Sequence, residues 1–174
     1  MSAAPVVWPA VRALGLLVRA NLGPVPVPLH VNLAVTHRCQ SRCRTCFVWQ
    51  AAPSPELTLE DYRRFFAANP HLALLTVTGG EPFLRPDLVE VLAAAVEHCR
   101  GLYYLHVTTN GLATDATLAA VERLLALPVH RVVVVVSLDG PREVHDRVRG
   151  GAGFFDRSLA TYRGLRSHVG RRPG

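Results

Sequence analysis

At 174 residues the chain is long enough for one domain with a substantial core, and 49% hydrophobic against 18% charged residues excludes a disordered protein. The net charge of +6 is carried entirely by scattered arginines, with no lysine and no isoleucine in the chain, so a nucleic-acid partner is not expected. Three of the four cysteines sit in one short loop, which is not a secreted disulfide framework and fits a reducing cytoplasm.

Residues 1–28 read as an N-terminal helix and a stiff connector. Val11, Leu14, Leu17, Val18 and Leu22 form a helical stripe that would pack on the main domain, and the alternating prolines 24, 26 and 28 then force extended backbone. The apolar run 13–18 is flanked by Arg12 and Arg19 and is too short to cross a bilayer, so no membrane span is expected. The rest, 29–174, reads as strand then helix, four times over. A first strand at 31–35 runs into Cys39-x3-Cys43-x2-Cys46. Thr58 and Asp61 make a capping box for a helix that Asn69-Pro70 ends. A second strand at 72–78 leads straight to Gly79-Gly80-Glu81-Pro82, and a helix follows with Pro86 in its first turn and Leu88, Leu92, Ala95, Val96 and Cys99 as its buried stripe. The third strand, 102–108, reaches Thr109-Asn110-Gly111, and Thr114 is expected to cap the next helix. The fourth, 129–138, holds five consecutive valines and delivers Ser137 and Asp139-Gly140. Asp139, His145 and Asp146 are read as organising a long loop, before a last helix through Phe154, Leu159 and Leu165.

Near-continuous apolar strands alternating with helices predict an α/β fold with a parallel sheet covered by helices on at least one face. In such folds the loops after the strands share one rim, so Cys39, Cys43, Cys46, Gly79 to Pro82, Asn110, Ser137 and Asp139 converge despite their separation. Three thiolates from one loop can bind three irons of a four-iron cluster and leave the fourth free of protein ligands. Zinc is the alternative, with His37 completing a Cys3His set, but the spacing is not that of paired knuckles. Cys99, on an apolar helical stripe, reads as a core thiol.

The cysteine loop after the first strand, Gly79-Gly80-Glu81-Pro82 after the second and Ser137-Leu138-Asp139-Gly140 after the fourth together resemble the radical S-adenosylmethionine (radical SAM) superfamily. The resemblance implies that the four units form part of a (β/α)6 barrel, of which the later strands are absent here. It implies a [4Fe-4S] cluster on Cys39, Cys43 and Cys46, whose unique iron chelates S-adenosyl-L-methionine. It also implies an external electron donor and reductive cleavage to a 5′-deoxyadenosyl radical that abstracts hydrogen from a substrate, peptide or small molecule. By the same resemblance Gly79, Gly80, Glu81 and Pro82 face the methionine amino group, and Ser137 with Arg149 or Arg157 faces its carboxylate. Asn110 approaches the ribose, and Asp139 supports the site. One departure is Thr45, where the family carries an aromatic residue before the third cysteine; Phe47 or Trp49 would substitute. Two readings compete with catalysis: an iron–sulfur binding or electron-transfer module, and a zinc-stabilised domain. If sheet order follows the chain, the valine-rich fourth strand is an edge, and a partner chain or further segment is expected to cover 132–136.

Overall fold

The structure is a computed structural model that describes residues 11, 14–15, 18–19, 21–24, 28–52 and 54–168. Part of the expected N-terminal helix and part of its connector lie outside the described residues. Those of the stretch that are described from 11 to 22 are helical, and Val11, Leu14, Val18 and Leu22 are exposed rather than packed.

Four parallel strands, β1 (His30–Ala34), β2 (Leu74–Thr78), β3 (Tyr104–Thr109) and β4 (Arg131–Val136), form one sheet in the order β1-β2-β3-β4. Between and after them lie α1 (Leu59–Ala68), α2 (Leu88–His98), α3 (Thr114–Leu125), α4 (Arg142–Arg149) and α5 (Phe154–Arg166). The order follows the chain because each strand returns through a helix to lie beside its predecessor, which needs parallel pairing. Register places Leu33, Val77, Val107 and Val134 in one row and Asn32, Thr76, His106 and Val133 in the next. The first row faces the helices. The central pair of strands supplies fully buried Leu75, Val77, Leu105 and Val107, packed with Phe66, Leu92 and Leu124 from the helices. Each such side chain contributes about 1.5–3 kcal/mol by burial. The other face alternates to half-buried residues, several of them polar, so this parallel sheet has one helix-covered face.

β1 and β4 each pair on one side only, and both are correspondingly more exposed than β2 and β3. β1 is therefore an edge strand, as β4 is. Beside β4 a hollow of about 700 Å³ is lined by Val121, Val132, Val134, Val136 and Leu165.

The capping box of α1 forms as expected, Thr58 accepting from the Asp61 amide at 3.2 Å and the Asp61 carboxylate accepting from the Thr58 amide at 2.9 Å. Three local readings are corrected. Ala113, not Thr114, caps α3, because the Thr114 hydroxyl is paired with Thr161 at 2.7 Å. The segment after β4 is not an irregular loop: it holds α4, ended by Gly150 in the left-handed conformation. Pro86 precedes α2 rather than lying in its first turn. Among the described residues no helix is long and apolar enough to cross a membrane.

Candidate functional site

All four strands point their C-terminal ends at one rim, and the loops that leave them meet there. A cavity of about 150 Å³ is lined by Cys39, Cys43 and Cys46 from the first loop, Thr78, Gly79 and Gly80 from the second, Thr109 and Asn110 from the third, and Ser137 and Arg149 from the fourth. Trp49 also lines it and donates from Nε1 to the Cys43 carbonyl at 3.3 Å; Phe47 is exposed.

The cysteine loop is held from both sides by backbone. On one side the Gly80 amide donates to the Thr36 carbonyl at 2.7 Å and the Glu81 amide to the Arg38 carbonyl at 2.8 Å. This approach needs glycine. A Cβ on Gly79 would lie 2.3 Å from the Thr36 oxygen and one on Gly80 2.2 Å from the Arg38 oxygen, and Gly79 has φ of 127°. On the other side the Arg42 and Arg44 amides donate to the carbonyls of Arg149 and Val148, at 3.1 and 2.9 Å, so the last turn of α4 grips the loop. Gly150 permits that contact, since its Cβ would meet the Arg42 carbonyl at 2.6 Å. The α4 grip was missed from sequence; the glycine pair at 150 and 151 was its only signal.

Glu81 and Pro82 do not line the cavity; both are buried behind it. The Glu81 carboxylate accepts from the Phe83 amide at 3.3 Å, the Thr109 hydroxyl at 2.8 Å and the Asn110 amide at 2.7 Å, tying the second loop to the third. Burial nevertheless pushes its pKa up, more than these bonds pull it down. Asn110 is 7% exposed, and its Nδ2 points at the Cys39 sulfur at 3.7 Å, with Gln40 Oε1 and the buried Ser41 hydroxyl each at 3.3 Å.

Asp139 likewise does not line the cavity. It holds Arg149, accepting from Nε and Nη2 at 2.5 and 3.0 Å, while Nη1 reaches the Cys43 sulfur at 3.9 Å. That hydrogen bond keeps the Asp139 carboxyl below its ordinary range, and although burial opposes it, Asp139 and Cys43 together raise the Arg149 pKa. His145 is fully buried; its Nδ1 accepts from the Asp139 amide at 3.3 Å, and burial lowers its pKa. Asp146 accepts from the amides of Gly153 and Phe155, each at 2.7 Å, joining α4 to α5. Arg157 stands apart from the cavity lining and donates to the Leu112 carbonyl at 3.0 Å.

The cysteines are free thiols, Cys39 half-buried, Cys43 buried and Cys46 exposed. Burial raises the Cys39 pKa, with Glu81 and Cys43 adding to it against the Ser41 amide and Asn110. Among the described residues no three Cys, His, Asp or Glu side chains converge on one ion position, His37 included. Three soft sulfur donors around a shared cavity, with the rest of the lining mostly uncharged, fit an iron–sulfur cluster by donor chemistry. Cys99 is remote from them, its sulfur against the Asn69 carbonyl at 3.4 Å, and burial pushes its pKa up to about 11.

A family model described as the Radical SAM superfamily matches residues 33–171. The chain is 32% identical over 152 residues to the antilisterial bacteriocin subtilosin biosynthesis protein AlbA of Bacillus subtilis (strain 168), covering 82% of this chain and 32% of that protein. It is 36% identical over 146 residues to the PqqA peptide cyclase of Rhodopseudomonas palustris (strain ATCC BAA-98 / CGA009), covering 80% and 37%. Streptococcus suis SuiB, solved with S-adenosylmethionine, superposes with a TM-score of 0.64 at 21% identity over 87% of this chain and 34% of that one, a likeness of fold. The chain thus spans about a third of the length of the curated relatives it matches.

Proposed function

The chain belongs to the radical SAM superfamily, and from that premise we propose that it carries the cluster- and cofactor-binding part of an enzyme that abstracts hydrogen from a peptide or small-molecule substrate. Cys39, Cys43 and Cys46 would hold a [4Fe-4S] cluster. When bound, the cluster and S-adenosyl-L-methionine supply one-electron cleavage of the sulfonium to methionine and a 5′-deoxyadenosyl radical, the electron coming from an external donor. The observation that supports this reading most is the meeting of three thiols from one loop with Gly79, Gly80, Ser137 and Arg149 around a single cavity.

Each element of the rim has work in this scheme. Gly79 and Gly80 bring backbone to the cavity wall, where carbonyls suit the methionine ammonium, and buried Glu81 and Pro82 fix that turn from behind. Ser137 and Arg149 offer donors suited to the methionine carboxylate. Asn110, on the cavity wall, would serve the ribose side, and Asp139 would orient Arg149. Trp49, on the wall, is the aromatic surface proposed to pack the adenine in place of the residue that Thr45 lacks. No acid–base residue is required, since a radical takes the hydrogen atom whole. AlbA is named for a bacteriocin and PqqA cyclase for a peptide, which supports a peptide substrate.

The test is anaerobic reconstitution with iron and sulfide, then incubation with S-adenosylmethionine and a strong reductant. 5′-Deoxyadenosine should form and should be lost in Cys43→Ala. A brown cluster without 5′-deoxyadenosine would favour an electron-transfer or binding module. Stoichiometric zinc with no cluster chromophore would overturn the iron–sulfur reading.

A further inference from the structure

We propose that Arg149 and Asn110 are positioning residues that set the cluster's reduction potential, by directing N–H groups at the sulfurs of Cys43 and Cys39. This rests on the cluster reading above but assigns the two side chains a duty toward the ligands themselves.

The geometry is the same on both sides of the cavity: a carboxylate fixes a donor, and the donor meets a sulfur. Asp139 takes Nε and Nη2 of Arg149, which leaves Nη1 aimed at Cys43 Sγ, 3.9 Å away. The Arg149 carbonyl accepts from the Arg42 amide, so the residue is held by backbone and side chain together. Across the cavity Glu81 takes the Asn110 amide, Asn110 Oδ1 accepts from the Leu112 amide at 2.9 Å, and the Asn110 carbonyl accepts from Ser158 Oγ at 2.6 Å. Nδ2 remains, 3.7 Å from Cys39 Sγ and shared with Gln40 Oε1 and Ser41 Oγ, each at 3.3 Å. Cys46 receives no side-chain donor among the described residues, so two of the three ligands are distinguished. Both donors are shielded, Arg149 with 18% and Asn110 with 7% of its surface exposed, and their fields are little screened there.

A donor to a ligand sulfur draws electron density from the cluster and favours the reduced form, which carries one more negative charge. The guanidinium adds a fixed positive charge to that effect. The carboxylates of the Gly79–Pro82 turn and of the segment after β4 thus act through Asn110 and Arg149.

The test uses the full chain, reconstituted anaerobically, with iron and sulfide content measured beside an electron-paramagnetic-resonance titration against solution potential. Arg149→Met keeps bulk and removes the donor, Arg149→Lys keeps the charge, and Asn110→Asp keeps the Oδ1 acceptor while replacing the donor. Cluster content should match wild type in all three. At a fixed potential the ratio of reduced to oxidised cluster should fall about tenfold in Arg149→Met and Asn110→Asp, a shift of about 59 mV to more negative potential for one electron, and less in Arg149→Lys. Titration curves that superimpose on wild type would overturn the inference. So would variants that hold no cluster, which would make the two residues scaffolding of the loop. A wild-type chain that takes up no cluster would instead overturn the function proposed above.

Discussion

Replacing Gly80 with alanine tests whether the second loop locks the first. The new Cβ would lie 2.2 Å from the Arg38 carbonyl oxygen, 2.7 Å from its carbon and 2.9 Å from the His37 carbonyl carbon, all backbone atoms that cannot rotate away. The loops must therefore separate, at the expense of the Gly80–Thr36 and Glu81–Arg38 hydrogen bonds. Two such bonds are worth about 1–3 kcal/mol together, and the residual overpacking about 1–3 kcal/mol more. A loss of about 2–6 kcal/mol is a large part of the ~5–15 kcal/mol that holds a domain folded. With a urea slope of about 2 kcal/mol/M the midpoint should drop by roughly 1–3 M. Urea unfolding of the apo chain measures this, and iron per chain after reconstitution should fall as well. Gly153→Ala is the control: Gly153, unlike Gly80, has positive φ, 76°, but a Cβ there meets nothing within 4 Å, so only backbone strain of about 1–2 kcal/mol applies. A Gly80→Ala chain with wild-type midpoint and iron content, or one less affected than Gly153→Ala, would refute the locking of the loops.

Cys99→Ala should leave cluster content unchanged and cost about 1–2 kcal/mol for a small buried void, and in the wild type the buried Cys99 thiol, its pKa pushed up to about 11, should resist alkylation while exposed Cys46 reacts. Buried His145 binds its proton more weakly folded than unfolded, so stability should rise with pH through the region just below 6.5 and be lost on acidification through it; urea midpoints on either side of pH 6.5 should show this slope, flattened in His145→Gln. Thr58→Ala should cost about 1 kcal/mol by removing the α1 cap, read from the same unfolding curves. Val135, 41% exposed on the edge strand β4, should promote self-association; sedimentation should show it relieved in Val135→Lys, and a wild-type chain monodisperse at high concentration would refute an aggregation-prone edge.

The strands were legible because parallel strands buried on a helix face carry unbroken apolar runs, and Leu75, Val77, Leu105 and Val107 show that burial directly; their order, only a condition in the sequence, comes from the structure. The convergence of Cys39, Gly79, Asn110 and Ser137 followed from topology alone. What resisted reading was anything decided by contact across the chain. α4 has eight residues, six of them charged or histidine, and its one fully buried side chain is that histidine, so hydrophobic periodicity gave no signal. Thr114 looked like a cap but spends its hydroxyl on Thr161, which no local pattern announces. Glu81 was expected at the cofactor and Asp139 in support of the site; the structure turns both carboxylates toward protein donors, a choice made by Asn110 from the third loop and Arg149 from the end of α4. The N-terminal stripe was legible as helix but its exposed residues find no partner surface in the described chain.

The grip of α4 on the cysteine loop has a consequence for folding order. Cys43 and Arg149 are 106 residues apart, so their contact closes a long loop and is expected to form after β2, β3 and β4 have assembled. The thiols would then be among the last groups fixed, with the loop still open to incoming iron and sulfide while the core is already formed. Amide exchange at Arg42 and Arg44 reports that closure independently of the cluster, and should be fast when α4 is unfolded and slow once it docks. The ligand loop behaves in this sense as a latch, set by α4, whose Arg149 lies 106 residues beyond Cys43.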